Sequence, residues 1–201
     1  MPQRLIFVRH GHTPFNSTDH HSRFMGWDDH VGLSNQGKQD ALSTSSKLHS
    51  YQIDSVYHSD FIRTTETVAI ITHELGLTST PTHHLRERNL GNFDGHTVKE
   101  IMETRPADWT KFLDHADQDW NGLAGESLRA VNARFDQFMQ HLKQQHSGQV
   151  VLLVTHSGIM HTILRDYFGF FPVESFIEVG HDSLTVLDRV GEQYQLTLHN
   201  S

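Results

Sequence analysis

The stretch that most constrains the fold is QVVLLVT, residues 149–155. An apolar run of strand length has no polar side to offer water. It must be covered on both faces, as a central strand of a parallel sheet is. Two other short runs, RLIFV at 4–8 and DSVYHS at 54–59, are separated from it by longer segments with helical spacing. Short strands alternating with amphipathic helices define an α/β fold.

The helices can be placed from their ends. Ser34 reads as the N-cap of a helix over 34–50, with Gly37 in its first turn. A second helix runs from about Asp60 to Leu75 and stops at Gly76, a suitable residue for a left-handed cap. Residues 80–87 are weakly strand-like, and Pro81 puts them at a sheet edge. Residues 97–115 read as helical, interrupted near Pro106. From 126 to 141 the apolar residues Leu128, Val131, Phe135, Phe138 and Met139 fall on one helical face. A last helix runs from near Gly158 to Phe168, and a hairpin around Gly191 joins 183–188 to 194–199.

Composition excludes several functions. The chain of 201 residues has no cysteine, so disulfides and thiolate chemistry are out, and a cytoplasmic location is the expectation. A net charge of −8 argues against nucleic acid as a partner. No apolar run approaches a membrane span, and the N-terminus enters a strand without a signal peptide. With 18 histidines, chance His motifs are common, and His20-His21 and His83-His84 read as solvated loop or edge residues.

Three strands end in the same kind of residue. IFV leads to Arg9-His10-Gly11, SVY to His58-Ser59 and then Arg63, and VLLV to Thr155-His156-Ser157-Gly158. Parallel strands share one C-terminal edge, where α/β folds place ligands. Arg9, His10, Arg63 and His156 should therefore meet there, beside helix N-termini that favour an anion. Guanidinium forks match phosphoryl oxygens. A neutral imidazole is a nucleophile toward phosphorus, and nearby cations keep it neutral. Gly11 clears space for His10 to face the phosphate. A metal site on His10, His12 and His156 lacks a matching carboxylate and would sit beside two cations. A Ser157 nucleophile lacks the expected glycine elbow.

These segments together resemble the histidine phosphatase superfamily, the phosphoglycerate mutase-like family. The resemblance runs through LIFVRHGHTPFN (5–16), RFMGWDDHVGLSNQG (23–37), VYHSDFIRTTETVAII (56–71), LRERNLGNFDGHT (85–97), GES (125–127) and VTHSGIM (154–160). It implies one three-layer α/β/α domain over 1–201 with a mostly parallel central sheet and a short helical cap at about 97–124. It implies that His10 forms a phosphohistidine and that Arg9, Arg63 and His156 hold the phosphoryl group. It implies that Glu87 is the proton donor and then the base. It places Thr13 and Gly26 in the family's motifs, and substrate contacts at Gly11, Thr13, Asn16, Gly26, Arg88, Ser157 and Gly158. No metal or cofactor is required. His58-Ser59 departs from the family's small pair and is expected to cap the following helix.

A phosphatase and a cofactor-dependent phosphoglycerate mutase share this core. The true mutases carry a longer insertion after the Glu segment. Here the region is short and acidic, with Lys99, Arg105 and Lys111 as its few cations. Hydrolysis of a small phosphorylated metabolite is the expectation; a mutase and a silent phosphate binder are the alternatives, and a homodimer is left open. Trp109, Phe112 and Trp120 are either an apolar lid or local core.

Overall fold

The computed structural model describes residues 1–16, 22–122, 124–173, 175, 177–181 and 183–199. His20 and His21 lie outside them. In chain order the elements are β1 (Arg4–Arg9), α1 (Asn35–Leu48), β2 (Ser55–Ser59), α2 (Ile62–Leu75), β3 (Thr80–Thr82), α3 (Val98–Thr104), α4 (Pro106–Leu113), α5 (Leu128–Gln145), β4 (Val150–Thr155), α6 (Ser157–Thr162), β5 (Leu184–Val190) and β6 (Gln193–His199). The sheet order is β3-β2-β4-β1-β5-β6. The pairs β2/β3, β2/β4 and β1/β4 are parallel, and β5 and β6 close one side antiparallel.

The three layers follow from the period-two alternation of a strand. Leu5 and Phe7 of β1 and Val151 and Leu153 of β4 join Val131, Phe135 and Leu142 of α5 on one face. Ile6 and Val8, with Leu152 and Val154, join Leu48 of α1 and Val68 and Ile71 of α2 on the other. Both strands are therefore buried on both sides, as the unbroken apolar run requires. The register Arg9↔Thr155 sets the ends of β1 and β4 level, so the chemistry-bearing residues emerge together. No helix among the described residues is long and apolar enough to cross a membrane.

Several sequence expectations need correction. Only Thr80–Thr82 of the 80–87 segment is a strand; His83–Leu85 then forms a 3₁₀ turn that swings Arg86, Glu87 and Arg88 away from the edge. His83 is exposed, while the His84 ring stacks 5.9 Å from Phe138. Ser59 does not cap α2, whose N-cap is Phe61 without a side-chain bond. The interruption expected near Pro106 is there, with Pro106 beginning α4 after a break at Arg105. The last helix changes to a π-helical turn at Ile163–Tyr167.

Ser34 caps α1 as expected, accepting from the Gly37 amide. Gly11 and Gly37 form a backbone-to-backbone seam: a Cβ on Gly37 would lie 2.0 Å from the His12 carbonyl oxygen, and one on Gly11 would lie 2.2 Å from that of Gly37. Gly76 is different, at φ 66° with nothing within 4 Å of a Cβ. Gly37→Ala should therefore lose at least about 2 kcal/mol through overpacking against backbone. Gly76→Ala should lose only about 1–2 kcal/mol of left-handed strain. Urea unfolding midpoints of the two variants against the parent check this ranking.

Candidate active site

His10 begins the loop after β1, only 5% exposed. Its Nδ1 lies 2.8 Å from the Gly11 carbonyl oxygen. A carbonyl only accepts, so Nδ1 carries the proton and Nε2 keeps its lone pair. Burial, with Arg63, Arg9 and His181 behind it, pushes the His10 pKa well below the ordinary 6.5. The imidazole is neutral, of fixed tautomer, and on the wall of a cavity of about 500 Å³.

Two arginines stand beside it. Arg9 Nη1 donates to the Val179 carbonyl at 2.7 Å, while Nε is buried with no hydrogen-bond partner among the described residues. Burial drives the Arg9 pKa down to about 10, with Arg63 adding to the effect and Glu87 opposing it. Arg63, in the first turn of α2, donates Nη1 to the Asp28 carbonyl at 2.5 Å and Nη2 to those of Met25 at 2.9 Å and Gly26 at 3.2 Å. Its Nε donates to His156 Nδ1 at 3.1 Å. Buried donors facing neutral acceptors, one of them unpartnered, suit an arriving anion.

His156 stands one layer back. Its Nδ1 accepts from Arg63, so Nε2 carries the proton and donates to Ser59 Oγ at 2.8 Å. It is fully buried, its ring 5.2 Å from that of His10, and it is not among the residues lining the cavity. The Ser59 hydroxyl, expected as a helix cap, instead fixes this tautomer.

Glu87 enters on the turn after β3 and lines the cavity with His10, Arg9 and Arg63. Its Oε2 accepts from the Gly158 amide at 2.8 Å, and its Oε1 from Ile159 at 2.7 Å and Arg88 at 2.8 Å. The anion at the start of α6 is thus the protein's own carboxylate. Gly158 also lines the cavity, with its amide donating to Glu87. A Cβ on Gly158 would lie 2.7 Å from Glu87 Oε1, so glycine is what lets the carboxylate approach.

The other expected residues fall around the same cavity. Thr13, Asn16, Gly26, Arg88 and Ser157 line it. Asn16 Oδ1 accepts from the Thr13 amide and hydroxyl, tightening the loop after His10. Gly26 presses against Asp94, which accepts from its amide at 2.5 Å. Gly11, whose amide donates to Thr67 Oγ1, packs behind His10 and is not in the lining. Trp109 and Phe112 of α4 face the cavity, whereas Trp120 is not in the lining and packs at an angle against Phe112 and Phe93. No group of His, Asp or Glu side chains that could hold a metal ion occurs among the described residues.

Other positioning groups carry little sequence signal. Arg134 bonds Glu126 through Nε at 2.7 Å and donates to the carbonyls of His84 and Arg86, clamping the turn that carries Glu87. Glu126 sits in GES and Arg134 two helical turns on, a spacing that could have suggested a pair. His181 Nδ1 donates to the His10 carbonyl at 2.7 Å, and nothing near His181 in the chain announces it.

A buried, neutral imidazole backed by two guanidiniums and faced by a carboxylate defines a site for a phosphoryl group. The whole-chain comparison agrees with that class: the model of the histidine phosphatase superfamily (branch 1) matches residues 5–201, and the chain belongs to that family. It is 33% identical to phosphoglycerate mutase-like protein 4 of Arabidopsis thaliana over 79% of this chain and 68% of that protein. It is 28% identical to phosphoserine phosphatase 1 of Hydrogenobacter thermophilus over 83% of this chain and 76% of that one. The solved mycobacterial glucosyl-3-phosphoglycerate phosphatase with VO3 superposes with a TM-score of 0.86 at 26% identity, covering 99% of both chains.

The protonation of the site has a stability signature. The His10 and His156 pKa values are both lowered well below 6.5 in the fold, by burial first and by Arg63 next. Below pH 6.5 the unfolded chain takes up protons that the folded one refuses, so stability is present above that pH and falls as pH drops. Each fully excluded histidine contributes a slope of up to about 1.4 kcal/mol per pH unit. Urea unfolding at about pH 7.5 and about pH 5 should show a clear loss at the lower pH.

Proposed function

We propose that this protein is a metal-independent phosphomonoesterase working through a phosphohistidine on His10, with a small phosphorylated metabolite as substrate. The observation that carries the reading is the bond from His10 Nδ1 to the Gly11 carbonyl, which leaves Nε2 as the free nucleophile. In the first step Nε2 attacks phosphorus and the bond to the ester oxygen breaks. Arg9 and Arg63 stabilise the charge that develops on the phosphoryl oxygens. Glu87 gives its proton to the leaving oxygen. In the second step Glu87 takes a proton from water, the water oxygen attacks phosphorus, the N–P bond breaks, and phosphate leaves with His10 restored. Both Glu87 oxygens are engaged by backbone amides, so either proton transfer requires it to exchange one of those bonds. His156 acts through Arg63, holding the guanidinium by its Nε.

Hydrolysis is favoured over the mutase reading by the cover that α3 and α4 place over the cavity. Lys99, Arg105 and Lys111 of the 97–124 region are absent from the lining, and the residues that α3 and α4 contribute are Val98, Trp109, Phe112 and Leu113. This cover supplies no cation of its own; the further arginines of the wall, Arg23, Arg88 and Arg165, come from outside α3 and α4.

With p-nitrophenyl phosphate in EDTA, the parent should turn over and His10→Ala should lose at least about 1000-fold in kcat while remaining folded. Activity abolished by EDTA, or retained in His10→Ala, would sink the reading. Glu87→Gln should slow phosphoenzyme formation from an alkyl phosphate by about 100-fold or more, as expected of a lost general acid. Nitrophenolate leaves without a proton, so its phosphoenzyme formation should be slowed much less. Rapid-quench measurement of that step with both esters separates the acid role from a structural one.

A further inference from the structure

The cavity is larger than a phosphoryl group needs; about 500 Å³ lies within the roughly 300–1000 Å³ of pockets that enclose drug-sized ligands. Its remaining wall is uneven in charge. Beyond the phosphoryl pocket it carries Arg23, Arg88 and Arg165, while Glu87 is its only carboxylate among the described residues.

Arg165 is the most telling of these. It is 3% exposed, on the π-helical turn that continues α6, seven residues past Gly158 and therefore about 10 Å along the helix. Asp166 accepts from its Nε at 2.7 Å and its Nη2 at 3.0 Å. Its Nη1 is buried with no hydrogen-bond partner among the described residues. His115, which lines the same cavity, likewise has a buried Nδ1 without a partner. Arg88 lies within reach of both electrostatically, and its Nε and Nη2 donate to neutral groups, the carbonyls of Glu126 and Trp120. Its guanidinium sits 5.9 Å from the Phe112 ring centre and 5.8 Å from that of Trp120. An unsatisfied buried guanidinium N–H, beside an arginine side chain bonded only to carbonyls and an imidazole nitrogen with no partner of its own, is arranged for an acceptor that carries negative charge.

We infer that Arg165, Arg88 and His115 form a second anion subsite in this cavity, so that the preferred substrate is a phosphomonoester whose alcohol carries a carboxylate beyond an apolar stretch. The apolar stretch would pass under Trp109 and Phe112. This rests on the phosphatase reading for what happens at the phosphate, but not for binding.

The test uses non-hydrolysable ligands, so binding is read apart from turnover. An ω-phosphonoalkanoic acid and its primary amide are titrated into the parent by calorimetry. The acid should bind roughly tenfold or more tighter than the amide, because only it offers a charged acceptor. In Arg165→Lys, which keeps a cation for Asp166 but removes the fork, and separately in Arg88→Gln, the acid-to-amide ratio should fall to within about threefold. Equal affinity of acid and amide in the parent overturns the subsite, as does a preference that survives both substitutions. Should Arg165→Lys not fold, the parent ratio and Arg88→Gln decide. Loss of the phosphatase reading would instead appear as absent p-nitrophenyl phosphate turnover with this binding preference intact.

Discussion

The structure is organised around one buried charge. Arg63 is the largest of the fully buried side chains, and every hydrogen bond its guanidinium makes goes to a neutral acceptor: the carbonyls of residues 25, 26 and 28 and the imidazole of His156. A cation in a low-dielectric interior is costly, and carboxylates at Glu87, Asp28 and Asp94 offset that cost only from a distance. Its neighbours are shaped by that cost. Burial first and the field of Arg63 second hold His10 and His156 neutral, and its donors gather the loop at 25–28 over the end of the sheet.

Glu87 is the counterweight. It reaches the start of α6 from the turn after β3, seventy-one residues earlier in the chain, and takes the amides that an external anion would otherwise use. The Arg134–Glu126 pair, each side chain 14% exposed, clamps that turn from behind. A carboxylate near phosphate would be repelled unless its own charge were held elsewhere. The helix N-terminus does this while leaving Glu87 on the cavity wall.

Local chemistry made much of this legible. The uninterrupted run at 149–155, the cap at Ser34 and the stop at Gly76 each depend on nearby residues, and each stands in the structure as read. The shared strand edge brought Arg9, His10, Arg63 and His156 together for the same reason. What could not be read depends on distant pairing. The Ser59 hydroxyl looks like a cap until His156, ninety-seven residues away, claims it. The Gly158 amide looks free in the sequence, yet Glu87 from the turn after β3 takes it. Glu87 itself came from family resemblance, since nothing within the chain distinguishes it from other carboxylates. The 80–87 segment lost its strand character after Thr82 because the backbone turns there to deliver that same carboxylate.

The sheet order also has a temporal meaning. β1 leaves the ribosome before the other strands of this sheet, yet its two neighbours are β4 at 150–155 and β5 at 184–190. Its fully apolar interior residues have no partner strand until most of the chain has been made. Pairings this remote in sequence carry a large loop-closure cost and slow folding. Arg9 and His10, at the end of β1, are therefore synthesised early and assembled late. A chain truncated before β4 would expose an adhesive strand tipped with Arg9 and His10, and chaperone demand should concentrate on that interval of synthesis.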